Sequence, residues 1–476
     1  MKNYMFDIAI IGAGVSGCAV ARELSKYKLN IAVLEKNEDV CTGTSKANSG
    51  IVHAGFDAKP DSLMAKLNVK GNEMMDKLSK DLDYDFQRIG SLVVCNSQDN
   101  TEILYQLKEQ GEKNGVKGLR ILNREELFSL EPNLADDSHL ALFAPSGGIV
   151  CPFSFNIALA ENAFENGVQF FFDSPVDAVS KDENGYVIKS KDKIFSAKCV
   201  VNAAGVYADV IHNMVSDEKI EIIPRKGEYM LLDKSENGYV NHTVFTLPNN
   251  FGKGVLVSPT AHGNILVGPT ANDIDDKEYT DTTSDGLQEV REKANAMMKN
   301  LPLNKVITSF AGLRAHEKRH DFRIEEVKDA PFFFDCAAIE SPGLSSALAI
   351  GEYLCSMICE KLNPEKKDNF ISKRKGILNP FTLSKEEFSA LVKEKPEYGK
   401  VVCRCESITE GQIIDAIKRP LGARTIDGIK RRTRAGMGRC QSGFCLPRTL
   451  EILAQETGMD ITEITKCGEN SEFLQE

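Results

Sequence analysis

The 476-residue sequence contains no apolar run long enough to span a bilayer, so direct membrane insertion is not expected. It also lacks anything that reads as a secretory leader. The opening MKNYMFD passes straight into a β-branched run and leaves no room for one. Positive charge is in deficit: 58 Lys and Arg against 69 Asp and Glu give a formal net charge of −11. That balance argues against a general nucleic-acid binder and suits an acidic cytoplasmic protein. No internal repeat is evident. The length predicts two or three domains with ample core, and the charged and apolar fractions are ordinary for a soluble globular chain. Cysteine, by contrast, is plentiful: thirteen residues. Without a leader, metal ligation or buried thiols are expected rather than disulfides.

The stretch Phe6 to Lys36 carries the strongest local signal. A β-branched run (Ile8, Ile10, Ile11) stops at Gly12-Ala13-Gly14-Val15-Ser16-Gly17, a helical pattern follows, and a second apolar run ends on Glu35. In a strand–turn–helix–strand unit closed on a dinucleotide, Gly12 permits the tight turn and Gly14 lets the backbone approach a pyrophosphate. Gly17 lets the helix lie against the strand, and Glu35 can accept the ribose hydroxyls. The first-turn amides and the helix dipole favour phosphate charge. The glycines alone would fit any βαβ turn, and alone they leave NAD and FAD both open.

Further along, Thr42–Phe56 reads as a polar loop entering a short helix or strand, either near the ligand or on the surface. Leu63–Leu82 is helical, Gln87–Cys95 a strand, 101–130 helices with an N-cap-like start at Asn123, and 140–155 irregular. A helix over Ser154–Asn166 precedes a hairpin turning at Glu183-Asn184-Gly185. Its last strand runs into Ala203-Ala204-Gly205, a second turn suited to close cofactor approach. Alternating runs over 222–268 predict a separate, mainly antiparallel layer facing substrate. A third such turn, Pro342-Gly343, opens a long apolar helix at Leu344. Residues 362–400 read as a linker with a short helix near Ser384–Val392.

Four cysteines stand apart after the linker: Cys403 and Cys405, then Cys440 and Cys445. Two close pairs separated by a helical segment can converge into a four-thiolate site. Zinc ribbons usually use C-x2-C pairs, so a [2Fe–2S] cluster is preferred over zinc or free thiols. The nearby Arg419, Arg424, Lys430, Arg431, Arg432, Arg434 and Arg439 would offset cluster charge, raise its potential or dock an acidic partner. The remaining cysteines are read as inert. Cys355 and Cys359, one helical turn apart, have core spacing.

Together these motifs resemble FAD-dependent oxidoreductases of the glycine oxidase and glycerol-3-phosphate dehydrogenase type. The resemblance rests on IIGAGVSGCAVARELS with Glu35, TSKANSGIVHAGF, VNAAGVYAD, RKGEYMLLD, FAGLRA and ESPGLSSALAIGEYL, and covers the chain to about residue 360. CRCESITEGQI and TIDGIKRRTRAGMGRCQSGFC resemble the bacterioferritin-associated-ferredoxin-like domain found in the anaerobic A-subunit branch. SGIVHAGF, RKGEY and GLRAHE also resemble L-2-hydroxyglutarate dehydrogenases.

The resemblance implies FAD and a [2Fe–2S] cluster as cofactors. Gly12, Gly14, Gly17 and Glu35 would hold pyrophosphate and ribose. Thr44, Ser45, Asn48 and Ser49 would pass the pyrophosphate and flavin, Val176 would meet adenine, and Ala204 and Gly205 would form the second contact turn. Gly343, Leu344 and Ser345 would face the flavin's O2 and N1 and stabilise negative charge there. His53 is the expected base and Arg314 the anion-holding fork, with Arg319 and Arg323 as secondary candidates. In some relatives a histidine in this region attaches FAD covalently, an alternative role for His53.

The expected fold is α/β: a Rossmann-like FAD domain (about 1–80, 150–220 and 330–361) with an inserted substrate domain (about 81–149 and 221–329). A linker (362–400) and a small α-rich [2Fe–2S] domain (401–476) follow. The expected activity is oxidation of a small anionic alcohol, sn-glycerol 3-phosphate. Electrons would pass to an electron-accepting protein subunit, which would carry any membrane association. The alternatives are L-2-hydroxyglutarate oxidation and a non-catalytic electron-transfer subunit.

Overall fold

The β-branched run and the glycines after it set the centre of the architecture. β1 (Lys2–Ile11), α1 (Val15–Leu24) and β2 (Ile31–Leu34) form the expected unit, its strands parallel with Ile8 opposite Ile31. In this computed structural model the described residues are 2–96, 101–247 and 254–474. β1 lies inside an eight-stranded sheet. One edge of β1 pairs with β2, and β2 with Gln169–Phe171. Its other edge pairs in parallel with Lys193–Asn202, which carries Phe333–Ala337 beyond it. The strands read as continuous apolar runs because both faces are buried. Ile8, Ile10 and Val33 pack toward the helices, and Ala9, Ile11 and Leu34 toward the opposite face.

Two contacts explain how closely the helices approach. Gly12 adopts φ +105°, a conformation costly for any residue with a Cβ. A Cβ on Gly17 would lie 2.1 Å from the Gly12 carbonyl oxygen, so only glycine lets α1 start against the turn. The long helix Gly343–Leu362 packs on α1 in the same way, Gly351 against the backbone of Ala19.

A second, nine-stranded sheet is mainly antiparallel, as expected of the 222–268 region, of which 248–253 lie outside the described residues. Its long strands Ile223–Leu232 and Val306–His316 set Arg225 opposite Arg314 and Tyr229 opposite Phe310. It has its own core, including Leu92, Met230, Val257 and Val290.

Three local readings are corrected. The strand expected over Gln87–Cys95 is two, Phe86–Arg88 and Ser91–Cys95, in different sheets. Gly90, at φ +75°, turns the chain between them under the ring of Phe143. The helical stretch 101–130 is interrupted by the strand Arg120–Leu122, although Asn123 and Glu126 do form a capping box. The supposedly irregular 140–155 holds strands Leu140–Ala144 and Gly148–Val150 and the start of the helix Pro152–Glu165. Among the described residues no helix is long and apolar enough to cross a membrane.

The C-terminal unit packs a two-stranded ribbon (Val401–Cys403, Ile408–Thr409) and helices Glu410–Lys418, Ile426–Thr433 and Leu446–Thr457 around Ile413, Ile417, Ile429 and Leu453. Most of its arginines are not left to screen a cluster or recruit an acidic partner. They bind this chain's own carboxylates. Arg431 Nη2 and Arg432 Nη1 donate to Asp39 Oδ2 at 2.8 and 2.6 Å, and Arg419 donates to both oxygens of Glu161 at 2.8 Å. Arg374, from the expected linker, joins Glu161, so that segment is laid along the first unit. Arg439 pairs with Asp233, and Arg434 with Glu406. Burial pushes the Asp39 carboxyl up, but Arg432 and then Arg431 outweigh it and hold it below the usual carboxylate range.

Replacing Asp39 by Ala strands two buried guanidinium groups, which typically costs about 3–5 kcal/mol. The expected outcome is release of the C-terminal unit at lower urea concentration than in the wild type, read as proteolytic cutting within 362–400. The wild-type contribution is present above the ordinary carboxyl value of 3.8 and is lost as pH falls through the depressed folded value.

Candidate active site

The C-terminal ends of β1 and β2 and the inner face of the second sheet enclose a cavity of about 1130 Å³. Drug-sized ligands usually occupy roughly 300–1,000 Å³, so this space suits a dinucleotide with a small molecule beside it. Of the residues singled out in the sequence, Gly12, Gly14, Glu35, Thr44, Ser45, Asn48, Ser49, Val176, Ala204, Gly205, Gly343 and Leu344 line it, together with His53 and Arg314. Gly17 and Ser345 do not. Gly17 is consumed by helix–turn packing, and Ser345 lies fully buried behind the wall.

The lining fits a dinucleotide. A Cβ added at Gly14 would meet only Ser45 Oγ, and at Gly205 nothing within 4 Å, so both backbones face open space that a ligand can approach. Neither α1 at Gly14 nor the long helix at Pro342 has a side-chain cap. Two helix N-termini therefore offer partial positive charge to this cavity. Ser45 Oγ accepts the Val15 N–H at 2.9 Å, leaving its hydroxyl proton for a ligand oxygen. Glu35, at the end of β2, accepts the N–H groups of Ala13 (2.8 Å) and Asn37 (3.0 Å). Burial nonetheless raises its carboxyl above the ordinary value. Thr44 and Asn48 spend their polar atoms on the loop, Thr44 Oγ1 on Leu313 O and Asn48 Nδ2 on Ser45 O. They shape the site more than they offer it donors.

Around His53 the backbone is fixed from three sides. Its N–H donates to Ser345 Oγ at 2.8 Å, and its carbonyl accepts from Asn72 Nδ2 (2.9 Å) and Asn68 Nδ2 (3.3 Å). Its Nε2 lies 3.4 Å from Ser341 Oγ. Arg314 donates to the Thr270 carbonyl at 3.4 Å, reaches the Tyr229 hydroxyl, and meets no carboxylate among the described residues. Its register neighbour Arg225 is instead neutralised by Asp273. Gly227 makes the room: a Cβ there would be 2.8 Å from Arg314 Nη2. Arg319 and Arg323 are spent on Glu317 and Glu325 and do not line the cavity.

Two residues escaped the sequence reading. Tyr229 lines the cavity, stacks on Phe310, and has its hydroxyl within reach of Arg314 and Ser49. Ser341 touches His53. The signal for Tyr229 was its period-two spacing from Arg225 and Gly227 on one strand face.

The four C-terminal cysteines form two sulfur pairs. Cys405 and Cys440 are 3.5 Å apart, and Cys403 hydrogen-bonds to Cys445. No three of the four come mutually within 4.8 Å. One zinc ion would draw all four to within ~3.8 Å of each other, given Zn–S bonds near 2.3 Å. Two separated pairs suit two irons instead. The Cys445 thiol and the amides of Gly436 and Glu406 lower the Cys403 thiol to about 6, favouring the thiolate that iron needs.

Comparison with known proteins agrees with this geometry. Residues 7–357 match the family model described as FAD dependent oxidoreductase, and residues 401–455 match the BFD-like [2Fe-2S] binding domain. A glycerol 3-phosphate dehydrogenase from Caloramator mitchellensis is 53% identical over 99% of this chain and 98% of its own length. The solved L-alpha-glycerophosphate oxidase from Mycoplasma pneumoniae, with FAD bound, superposes with a TM-score of 0.75 at 33% identity, covering 78% of this chain and 98% of that one. A mitochondrial L-2-hydroxyglutarate dehydrogenase from Arabidopsis thaliana is 29% identical over 74% of this chain and 83% of its own.

Substituting Cys440 by Ala should abolish bound iron while leaving the flavin content at the wild-type level. Metal analysis beside the visible spectrum checks this, and undiminished iron would remove Cys440 from the ligand set.

Proposed function

Since the chain belongs to the FAD-dependent oxidoreductase family and carries a BFD-like [2Fe–2S] binding domain, we propose that it oxidises sn-glycerol 3-phosphate to dihydroxyacetone phosphate. The observation that carries this reading is that His53 and Arg314, distant in sequence, open on one cavity beside the uncapped turn at Pro342–Leu344. The relative that shares 53% identity, cysteine domain included, is named a glycerol 3-phosphate dehydrogenase. FAD along the cavity supplies the hydride acceptor, and a [2Fe–2S] cluster on Cys403, Cys405, Cys440 and Cys445 supplies a single-electron carrier.

The chain's residues then have separable tasks. Arg314, with no carboxylate competing for it among the described residues, holds the phosphate dianion, and the Tyr229 hydroxyl adds a donor beside it. His53 takes the proton of the C2 hydroxyl while the C2 hydrogen leaves as hydride. Alcohol to ketone thus sheds two electrons and two protons in all. Imidazole suits the task near neutral pH. Ser345, Asn68 and Asn72 hold the His53 backbone so that the ring need not reorganise. Gly12, Gly14 and Ser45 would hold the pyrophosphate, and Glu35 the ribose.

L-2-hydroxyglutarate, a carboxylate-bearing secondary alcohol, is the second reading, favoured by the Arabidopsis relative. The iron–sulfur unit shared with the 53% identical relative tips the balance to the phosphate substrate. A purely electron-relaying subunit would have no use for a fixed histidine opening on the same cavity as an arginine that meets no carboxylate among the described residues. The acceptor we infer is another protein, to which any membrane association belongs.

In dye-linked turnover of sn-glycerol 3-phosphate, His53→Ala should lower kcat by about 10²–10⁴-fold with FAD still bound. Arg314→Ala should act chiefly by raising KM. Wild-type kcat in the first variant would take His53 out of the mechanism. Faster turnover of L-2-hydroxyglutarate than of glycerol 3-phosphate by the unmodified protein would overturn the substrate assignment.

A further inference from the structure

Apart from the residues used above, three metal-ligating side chains converge at the rim of the same cavity. His316 ends the strand Val306–His316, His320 sits in the following turn at φ +53°, and Glu340 immediately precedes the Ser341–Pro342 turn. One ligand atom from each lies within 4.8 Å of the other two. His316 Nδ1 is 3.0 Å from Glu340 Oε2, His320 Nδ1 is 3.8 Å from Glu340 Oε1, and the imidazole centroids are 4.6 Å apart. The side chains of His316 and Glu340 are only 4% and 11% exposed, whereas that of His320 is 65% exposed. Two donors are therefore fixed, and one can close from outside.

The charge balance at this spot is unusual. Among the described residues Glu340 pairs with no lysine or arginine, only with the two histidines. The nearby Arg225 is held by both oxygens of Asp273. Arg225 therefore acts on the mostly buried Glu340 only through space, and a bound cation would give that carboxylate a direct positive partner.

We propose that His316, His320 and Glu340 form a divalent transition-metal site at the cavity rim. Two imidazoles and one carboxylate are borderline ligands that suit Zn²⁺, and they come from two segments, the histidines four residues apart and Glu340 twenty residues further on. His320 and Glu340 themselves line the cavity, so a bound ion would lie at its edge. On binding, Zn²⁺ takes the place of the contact between His316 Nδ1 and Glu340 Oε2. Both imidazoles bind in neutral form, and any displaced proton passes to water. Glu340 adjoins Ser341, whose hydroxyl touches His53, so the ion would sit one residue from a group in contact with the base. The site uses none of the cysteine ligands and is independent of the substrate assignment.

The test uses the holoprotein, with flavin and cluster intact, stripped of adventitious metal by a chelator and dialysed against Zn²⁺ alone. Wild type should bind one more Zn²⁺ per chain than His320→Ala, and Glu340→Gln should show the same deficit. The loss of a direct ligand should weaken that site by at least about 100-fold, since even outer partners of metal ligands are worth 10–100-fold. Zinc held elsewhere, by cysteine for instance, is common to all three proteins and cancels. His320 is exposed, so its replacement should leave the flavin spectrum unchanged and report folded protein. Equal zinc stoichiometry and affinity in wild type and His320→Ala would overturn the proposal.

Discussion

Everything in this molecule is arranged around a contact that tolerates no side chain. The Gly12 carbonyl occupies the place where a Cβ at position 17 would lie, and the Ala203 carbonyl lies 2.4 Å from where one at Gly12 would point. Strand, helix and the second turn at Ala203–Gly205 can meet only because these positions are bare. Their meeting puts the open N-terminus of α1 on the floor of the cavity. Ser45 and the Pro342–Leu344 turn then close over the same space, so one steric constraint determines where negative charge can be bound.

Electrostatics joins the remaining part of the chain to that frame. Asp39 lies four residues beyond Glu35, and Glu161 is on the helix that packs against α1. Each is a nearly buried carboxylate clasped by two arginines from the C-terminal portion of the chain. Buried pairs of this kind add little net stability over apolar packing but penalise any alternative placement. The cysteine unit is thereby fixed in one pose on the flavin-binding body. Within that unit the sulfur atoms divide into two pairs, a spacing that favours a two-iron cluster over a single zinc.

Much of this was legible in the sequence, for identifiable reasons. The Phe6–Lys36 unit and the turns at Ala203–Gly205 and Pro342–Gly343 follow local rules in which small residues mark close approach. They appear where the pattern placed them, and twelve of the fourteen residues read as cofactor contacts line the cavity. Gly17 does not, because its close contact is with the protein itself. Ser345 does not, because its hydroxyl is turned inward to the backbone of His53 and Ile51. What the sequence hid depends on pairings between distant segments. The basic run at Lys430–Arg434 looks like a docking patch until Asp39, nearly four hundred positions earlier, is found against it. Tyr229 gains meaning only when Val306–His316 brings Arg314 across from its strand. Likewise, Gln87–Cys95 has an unbroken strand pattern, and only the packing of Phe143 over Gly90 shows why it divides.

Under the proposed function, His53 and an arginine that meets no carboxylate among the described residues, Arg314, serve an anionic secondary alcohol. Anaerobic titration of the purified holoprotein, with no other protein present, tests it most directly. Stoichiometric sn-glycerol 3-phosphate should bleach the flavin absorbance, while L-2-hydroxyglutarate at the same concentration should leave it unchanged. A flavin that stays oxidised with glycerol 3-phosphate, or that bleaches only with L-2-hydroxyglutarate, would contradict the account.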